Sequence, residues 1–352
     1  MSRSIYLAAD GSLSITTIPK PYTPSGSQSL VSVKYSGINR CDLNFFHLGL
    51  HSYPTGFEFA GIVTSPGPNS PFSPGDLVCG ISPISNPQQS CHGTHQDLVL
   101  AESSLTHKIP PGIDLKEASS LPMSLQTAAD AIFNVLGTSL PEANVPGSSA
   151  KGRAILIWGG ATAVGVSAIQ LAKLAGFNPI FATASPRNHL ALQALGATHV
   201  FDYASPTVTS SIRAAALELG VSLTTAFDTI GSGLHVPGAD PETTSPALIR
   251  KCLSADEAPR LVCTLPVQDD PSFGFCNSYR PEGSTGAMGG SQDPEFPVRL
   301  REVVAYVLGA AERVPRHPNI TSVRGGEEGI REIQKVAHGG ASLQKIVIEH
   351  PM

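Results

Sequence analysis

The amino-acid sequence predicts an α/β protein with two domains: a mostly β domain, followed by one built on a doubly wound parallel sheet. Its 352 residues are enough for two domains. As far as residue 120, short β-like runs alternate with turns rich in Pro, Gly and Ser. From residue 124 onwards, runs of buried-strand length alternate with helical patterns. This alternation is typical of βαβ units and of a parallel sheet with helices on both faces.

The predicted elements follow this division. In the first domain, strands are predicted at 29–35, 57–64, 76–81 and 94–100. In the second, strands are predicted at 154–158, 178–183, 199–201, 223–229 and 260–265, and helices at 124–136, 164–175, 189–195 and 210–219. Residues 266–297 are rich in Gly, Pro and Ser and are predicted to form a long loop. Helices at 298–311 and 327–337 and a strand at 344–349 complete the prediction.

Composition and charge argue against several classes of protein. Hydrophobic residues make up 41% of the chain and charged residues 14%, which allows a sizeable core. The net charge of −5 gives no reason to expect a nucleic acid or an anionic membrane as a partner. The N-terminus lacks a secretory signal, and Gly, Gln and Lys interrupt the most apolar stretch, 154–182. The six cysteines form no CxxC pair, which indicates reduced thiols in a cytoplasmic protein.

A glycine-rich turn lies between the predicted strand 154–158 and the predicted helix 164–175. Such a turn lets backbone N–H groups approach a pyrophosphate, and the helix N-terminus adds partial positive charge. The alternative is a tight βα turn that binds no ligand. The candidate cofactor-binding residues of this loop are Gly160, Ala161, Thr162, Ala163, Val164 and Gly165.

The residues after the next strand favour NADPH over NADH. Dinucleotide sites that bind NAD usually have an acid there for the ribose hydroxyls, and the sequence here, TASPRN, has none. Ser185 and Asn188 can donate hydrogen bonds to a 2′-phosphate, and Arg187 can neutralise it. The alternative for Arg187 is a solvated residue at a helix start. Leu265, at the end of the predicted strand 260–265, is a further candidate cofactor contact.

These motifs resemble the medium-chain dehydrogenase/reductase superfamily. The segment GGATAVGVSAIQLAKLAG, followed by ALGATHVFDY, carries the resemblance. Segments such as SGINRCDLNFFHLG, FEFAGIV, SPGDLVCG and GTHQDLVLAESSLTHKIP occur in the order found in that family. The resemblance implies a GroES-like substrate domain at 1–123, completed by 308–352, and a Rossmann NADPH-binding domain at 124–307. It places the active site in the cleft between them.

Within the superfamily, Thr162 stands where zinc-free quinone reductases usually have a third glycine. Thr162 and the segments ATASPRN and VFDY together make the chain similar to the fungal trans-acting enoyl reductases. Those enzymes act with polyketide synthases that lack a working enoyl reductase domain. The resemblance implies a small-molecule or carrier-bound enoyl substrate, and a monomer or homodimer. It makes Ser185, Asn188 and Tyr203 candidate contacts to the 2′-phosphate ribose, and it places Thr127 beside the nicotinamide.

No metal is expected. Zinc members of the superfamily use a Cys and a His-Glu pair for the catalytic ion. The corresponding positions here are Asn39 and Phe57-Glu58, so that ligand set is incomplete. Cys91, His92 and His95 lack an obvious fourth ligand, and we expect them in a surface loop and a strand start.

Without zinc, the reaction best suited to such a site is hydride delivery to the β-carbon of an α,β-unsaturated carbonyl. Many trans-acting enoyl reductases have a lysine where this chain has Asn44, which can donate a hydrogen bond but cannot supply a charge. Asp42 is expected to cap a helix, and Tyr279 is an acid that the sequence does not place. Two alternatives stay open: a general quinone or alkenal reductase, and a non-catalytic NADPH-binding or structural protein on the same fold.

Overall fold

The computed structural model describes residues 2–18, 21–255, 258–287 and 289–352. Within these ranges the strands are β1 Ser2–Leu7, β2 Leu13–Ile18, β3 Ser29–Gly37, β4 Tyr53–Pro54, β5 Glu58–Pro66, β6 Leu77–Ile81, β7 Leu98–Ala101, β8 Thr106–Lys108, β9 Ile155–Trp158, β10 Ile180–Thr183, β11 His199–Phe201, β12 Thr225–Asp228, β13 Arg260–Cys263, β14 Phe273–Phe275, β15 Ile320–Arg324 and β16 Lys345–Glu349. The α-helices are α1 Cys41–Asn44, α2 Leu115–Ala118, α3 Pro122–Ala129, α4 Ala163–Ala175, α5 His189–Leu195, α6 Val208–Glu218, α7 Ser245–Cys252, α8 Phe296–Leu308 and α9 Gly325–Ala337.

The chain forms two compact units. Unit 1 comprises Met1–Met123, Tyr279–Pro294 and Val307–Met352, and unit 2 comprises Ser124–Ser278 and Glu295–Tyr306. One segment differs from the predicted boundaries: 279–294 groups with unit 1, although the sequence assigned it to the second domain. The reason is apolar packing, since Tyr279 lies against a buried cluster of unit 1 that contains Leu7, Tyr53 and Phe57.

Unit 1 is built on two sheets. A three-stranded sheet has the order β2-β1-β4, and a larger one has the order β15-β16-β3-β5-β6-β8, with β7 paired to β3. Apolar side chains on the inward faces of β3, β5, β6 and β7 form a buried core, which includes Val33, Phe59, Val78 and Val99. The predicted β domain is therefore observed, with β1, β2, β4, β8 and β15 as further strands that the sequence pattern did not indicate.

Unit 2 is built on a parallel sheet of six described strands, in the order β11-β10-β9-β12-β13-β14. From β9 the chain runs outward through β10 to β11, then returns to the other side of β9 with β12. This reversal creates a topological switch point at the carboxyl ends of β9 and β12, which is where such sheets bind ligands. The predicted fold class, an α/β chain with a doubly wound parallel sheet, is confirmed.

Three local predictions in unit 2 differ from the structure. Residues 266–297 are not all loop, because β14 lies within them and pairs in parallel with β13. The predicted strand 260–265 ends at Cys263, so that Leu265 lies beyond the strand. The predicted helix 124–136 consists of α3 followed by a π-helical segment, Asp130–Val135.

In the described part of the chain, no helix has the length and apolar character needed to cross a bilayer.

Candidate active site

The glycine-rich loop lies at the switch point of unit 2, between β9 and α4. Gly159 has a φ of +86°, and a Cβ there would come within 2.6 Å of the Ile230 side chain. A Cβ on Gly165 would overlap the carbonyl oxygen of Gly159. The start of α4 can therefore lie this close to the end of β9 only because residue 165 is a glycine. These two glycines therefore fix the tight turn that brings the N-terminus of α4 over the end of β9.

Thr162 caps α4. Its backbone is extended (φ −73°, ψ 160°), and its Oγ1 accepts a hydrogen bond from the Gly165 N–H at 2.8 Å. The first bond of the helix runs from the Val166 N–H to the Thr162 carbonyl at 2.9 Å. Helix geometry leaves the N–H groups of Ala163 and Val164 without acceptors inside the helix. They are the backbone donors that this loop offers to a phosphate.

A second threonine holds the loop from the neighbouring strand. Oγ1 of Thr229, which directly follows β12, lies 2.9 Å from Thr162 Oγ1 and also 2.9 Å from the carbonyl oxygens of Trp158 and Gly159. Because Thr162 Oγ1 accepts from Gly165, its own proton is free to go to Thr229. The proton of Thr229 then goes to a carbonyl oxygen of the loop. Sequence analysis did not identify Thr229; its only sequence signal is its position at the end of a predicted strand.

The turn after β12 is fixed by the buried carboxylate of Asp228. It accepts hydrogen bonds from the Ser245 hydroxyl at 2.5 Å and from the N–H groups of Ile230 and Gly231 at 3.0 and 2.9 Å. Burial raises the pKa of Asp228, while these bonds oppose the shift. Leu265 lies against Gly231 and is 37% exposed. The structure thus places Leu265 at the same edge of the sheet as the glycine loop.

The end of β10 lies on the other side of the loop. Thr183 accepts the Gly159 N–H on its hydroxyl at 3.0 Å and the Gly160 N–H on its carbonyl at 2.8 Å. Two residues further on, Ser185 precedes a 3₁₀ turn, and its hydroxyl makes a long 3.4 Å bond to the Tyr203 hydroxyl. Arg187 on that turn is exposed.

Asn188 ends the same turn and is buried. The structure therefore groups four predicted 2′-phosphate contacts beyond the ends of β10 and β11: Ser185, Arg187, Asn188 and Tyr203. Three of them carry neutral hydrogen-bonding groups and one carries a cation, a combination that suits a phosphate.

The two predicted catalytic residues lie in different units. Thr127 is half-buried on α3 in unit 2, three residues after Ser124, whose hydroxyl bonds that of Ser167 on α4 at 3.1 Å. Both therefore lie on the side of α3 that faces α4. Asn44 ends α1 in unit 1, and its amide donates a long 3.5 Å contact to the Ala337 carbonyl at the end of α9.

Comparison with known proteins agrees with this description. Residues 25–111 match the alcohol dehydrogenase GroES-like domain family. The chain is 28% identical to the trans-enoyl reductase ACTTS2 of Alternaria alternata, over 98% of both chains. It is 35% identical to a trans-enoyl reductase of Gibberella fujikuroi, over 58% of each. The solved structure of CurK enoyl reductase has the same fold, with a TM-score of 0.70, 19% identity and 99% coverage of each chain.

The chain has the medium-chain dehydrogenase/reductase fold and resembles fungal trans-enoyl reductases. The resemblance predicted from the sequence is thereby confirmed.

Zinc members of this superfamily have metal ligands at the positions of Asn39 and Glu58. In this chain, Glu58 instead forms a buried ion pair with Lys345, and Asn39 contacts both side chains. Lys345 Nζ lies 2.6 Å from Glu58 Oε1 and 2.7 Å from Asn39 Oδ1. The other oxygen of Glu58 accepts the Met123 N–H at 2.9 Å.

This arrangement does not suit a metal ion. Lys345 already neutralises Glu58, and the Asn39 amide donates to the same carboxylate at 2.8 Å. Phe57, at the position of the zinc-binding His, is fully buried in an apolar cluster. In the ranges that the structure describes, no three His, Cys, Asp or Glu side chains are grouped so that they could hold a metal ion.

Two predictions about the neighbouring polar residues are wrong. Asp42 does not cap α1: it lies inside the helix, fully buried, and its Oδ2 bonds the Asn39 N–H at 2.7 Å and His95 Nε2 at 3.0 Å. His92 and His95 are not at the surface. Both are buried, His92 with Glu102 at 3.4 Å and His95 with Asp42. Asp42 and His95 contact each other across 53 positions of the sequence, and a local sequence pattern does not reveal such a contact.

Proposed function

We propose that the protein is an NADPH-dependent ene-reductase that reduces the C=C bond of an α,β-unsaturated carbonyl compound without zinc. The observation that carries the proposal is the arrangement at the switch point of unit 2. There a helix N-terminus offers N–H donors that have no acceptor inside the helix, and the neighbouring strand is followed by hydrogen-bonding side chains and an arginine, with no acid among them. The substrate class rests on the resemblance to trans-enoyl reductases.

The residues present suit a dinucleotide phosphate. The N–H groups of Ala163 and Val164 would hold the pyrophosphate, and Gly160 has no side chain to obstruct its approach. Arg187 would pair with the 2′-phosphate, and Ser185 and Tyr203 would donate hydroxyl protons to it. When bound, the nicotinamide would supply the hydride.

The protein's part in the reaction is to orient the reactants and to stabilise the enolate oxygen. The Thr127 hydroxyl can donate a hydrogen bond beside the nicotinamide, which we propose as its role. The Asn44 amide can donate to the enolate oxygen, because its 3.5 Å contact to Ala337 is weak enough to be exchanged. Neither group readily supplies a proton, so we propose that water protonates the α-carbon.

We further propose a polyketide-type enoyl substrate, either free or bound to a carrier protein of a polyketide synthase. NADPH oxidation should be measured with an enone, a quinone and an α,β-unsaturated acyl thioester, and the products should be identified by mass spectrometry. The proposal predicts that the enone or thioester is saturated, with NADPH preferred to NADH. It also predicts that a chelator leaves the rate unchanged and that the purified protein contains no stoichiometric zinc.

Other outcomes would select the alternatives. Turnover of the quinone alone would indicate a quinone reductase. A protein whose melting temperature and fluorescence do not change with NADPH would not be an NADPH enzyme, and the proposal would be abandoned.

A further inference from the structure

Four hydrogen bonds in unit 1 form one continuous chain of side chains. His95 Nε2 lies 3.0 Å from Asp42 Oδ2, and His95 Nδ1 lies 2.8 Å from Ser36 Oγ. Ser36 Oγ also lies 2.9 Å from His350 Nε2, and His350 Nδ1 lies 3.1 Å from Asp97 Oδ1. The order is therefore Asp42–His95–Ser36–His350–Asp97. A single hydroxyl joins two imidazoles, and each imidazole ends on a carboxylate.

The chain runs from the interior of unit 1 towards its surface. Asp42, His95 and Ser36 are fully buried, and His350 is 5% exposed. Within the described residues, Asp42 Oδ1 has no hydrogen-bond partner, so the charge of this carboxylate relies on what Oδ2 contacts. At the outer end, Asp97 also accepts the N–H groups of Arg3 and Met352, at 2.8 and 2.9 Å.

The number of protons in the chain follows from the number of bonds. Each of the four bonds needs one proton between its two atoms. Two neutral imidazoles and the Ser36 hydroxyl supply three protons, and two ionised carboxylates supply none. Without a fourth proton, two lone pairs would face each other across one bond. That arrangement is costly in a buried place.

We propose that the chain holds one additional proton, that His95 and His350 therefore share a single positive charge, and that the Ser36 hydroxyl between them is what makes this proton necessary. The inference is independent of whether the protein reduces an enoyl compound. With the proton included, every bond has a donor and an acceptor, and the five side chains carry a net charge of −1. They then join the segment after β16 to α1 and to the segment before β7.

Burial lowers the pKa of His350, the Asp97 carboxylate opposes this shift, and the neighbouring Lys34 adds to it. With His350 neutral and its proton on Nδ1 facing Asp97, Ser36 would donate to His350 Nε2 and every bond of the chain would have one proton. Among the described residues, Lys34 is the titratable neighbour of His350, and Cys41 and Tyr53 are those of Asp42, with Glu58 and Lys345 near Cys41.

The variant Ser36→Ala tests the proposal. Without the hydroxyl, each histidine can meet its own carboxylate as a neutral ring, His95 through Nε2–H and His350 through Nδ1–H. A water molecule that enters the space can donate to both remaining nitrogens, so again no extra proton is needed. Long-range ¹H–¹⁵N NMR of the histidine rings at pH 7 distinguishes imidazolium from the two neutral tautomers. We expect one imidazolium in the wild-type pair and none in Ser36→Ala.

A second variant and a control complete the test. In Asp97→Asn the amide can donate to His350 Nδ1, so the chain again needs no extra proton, and we expect two neutral rings. Ser29→Ala removes another buried hydroxyl of β3, one that bonds Ser70 at 2.7 Å, and should keep the imidazolium. Two neutral rings in the wild type would overturn the proposal. An imidazolium that persists in both Ser36→Ala and Asp97→Asn would also overturn it. The charge would then come from an ordinary ion pair with Asp42 and would not depend on the hydroxyl between the two imidazoles.

Discussion

The hydroxyl oxygens of Thr162 and Thr229 lie 2.9 Å apart and join the glycine loop to the end of β12. Thr162 also caps α4 through the Gly165 N–H, so one hydroxyl holds the helix start and its position relative to the sheet. A glycine at 162, as in zinc-free quinone reductases, could do neither. In this chain the loop is stiffened by side-chain bonds, while two backbone N–H groups are left for a ligand.

Thr162→Ala should lower both stability and cofactor affinity. Loss of an N-cap typically costs about 1 kcal/mol of protein stability, and here the bond to Thr229 is lost as well. We expect the free energy of unfolding in urea to fall by about 1–2 kcal/mol and the Kd for NADPH to rise. Thr162→Ser keeps the hydroxyl and should resemble the wild type. Equal effects of the two substitutions would show that the methyl group matters and the hydroxyl does not.

Arg187→Ala should weaken NADPH binding and leave NADH binding little changed. A hydrogen bond to a charged group contributes about 1.5–3 kcal/mol, which corresponds to a rise in Kd for NADPH of about tenfold or more. Isothermal titration with both cofactors measures the difference. Arg213→Ala, which removes an exposed arginine of α6, is the matched control and should change neither Kd. A similar loss of affinity for both cofactors would remove the case for 2′-phosphate recognition by Arg187.

Local pattern was enough to predict most of unit 2 but less of unit 1. The run ILIW followed by a glycine turn identifies β9 and α4, because a buried strand and its turn are encoded side by side. In β2, by contrast, most side chains are partly or fully exposed, and its pairing with β1 is what stabilises it. The three-residue strand β14 is too short for any period to be recognised.

The same distinction applies to the candidate site. The positions of Ser185, Arg187 and Asn188 after β10 were predictable because the sequence pattern identifies that strand, while their contact with the cofactor stays a prediction. Thr229 was not, since it reaches the loop only through the pairing of β9 with β12, about 70 residues apart in sequence. Asp42 was misassigned for the same reason: its partner His95 lies 53 residues further along the chain.

Lys345→Met should be strongly destabilising. The substitution leaves the Glu58 carboxylate, which is fully buried, without a counter-charge, and breaking such a pair typically costs about 3–5 kcal/mol. Lys108→Met, which breaks an exposed pair with Asp76, is the matched control and should cost less than about 1 kcal/mol. The double variant of Lys345→Met with Glu58→Gln should recover part of the loss. Urea unfolding that gives similar values for Lys345→Met and Lys108→Met would contradict this account.

The stability of the protein should fall as the pH is lowered from about 6.5 to about 4, in part because of His317. Burial lowers the pKa of His317 to about 4, and the Lys345 ammonium contributes to the shift. Its Nδ1 donates to the Asn319 carbonyl at 3.0 Å, and among the described residues its buried Nε2 has no partner to share a proton. The unfolded chain, with a His pKa of about 6.5, binds more protons in this range, so folding becomes less favourable as the pH falls.

At pH 5 the loss from this one group is about 2 kcal/mol. His317→Gln cannot be protonated, so the variant should lose about that much less stability than the wild type between pH 7 and pH 5. Urea unfolding at several pH values measures the slope for each protein. His51→Gln, at an exposed position of unit 1, should leave the slope unchanged. If His317→Gln and the wild type lose stability in parallel, His317 takes up no extra proton on unfolding, and the acid sensitivity arises elsewhere.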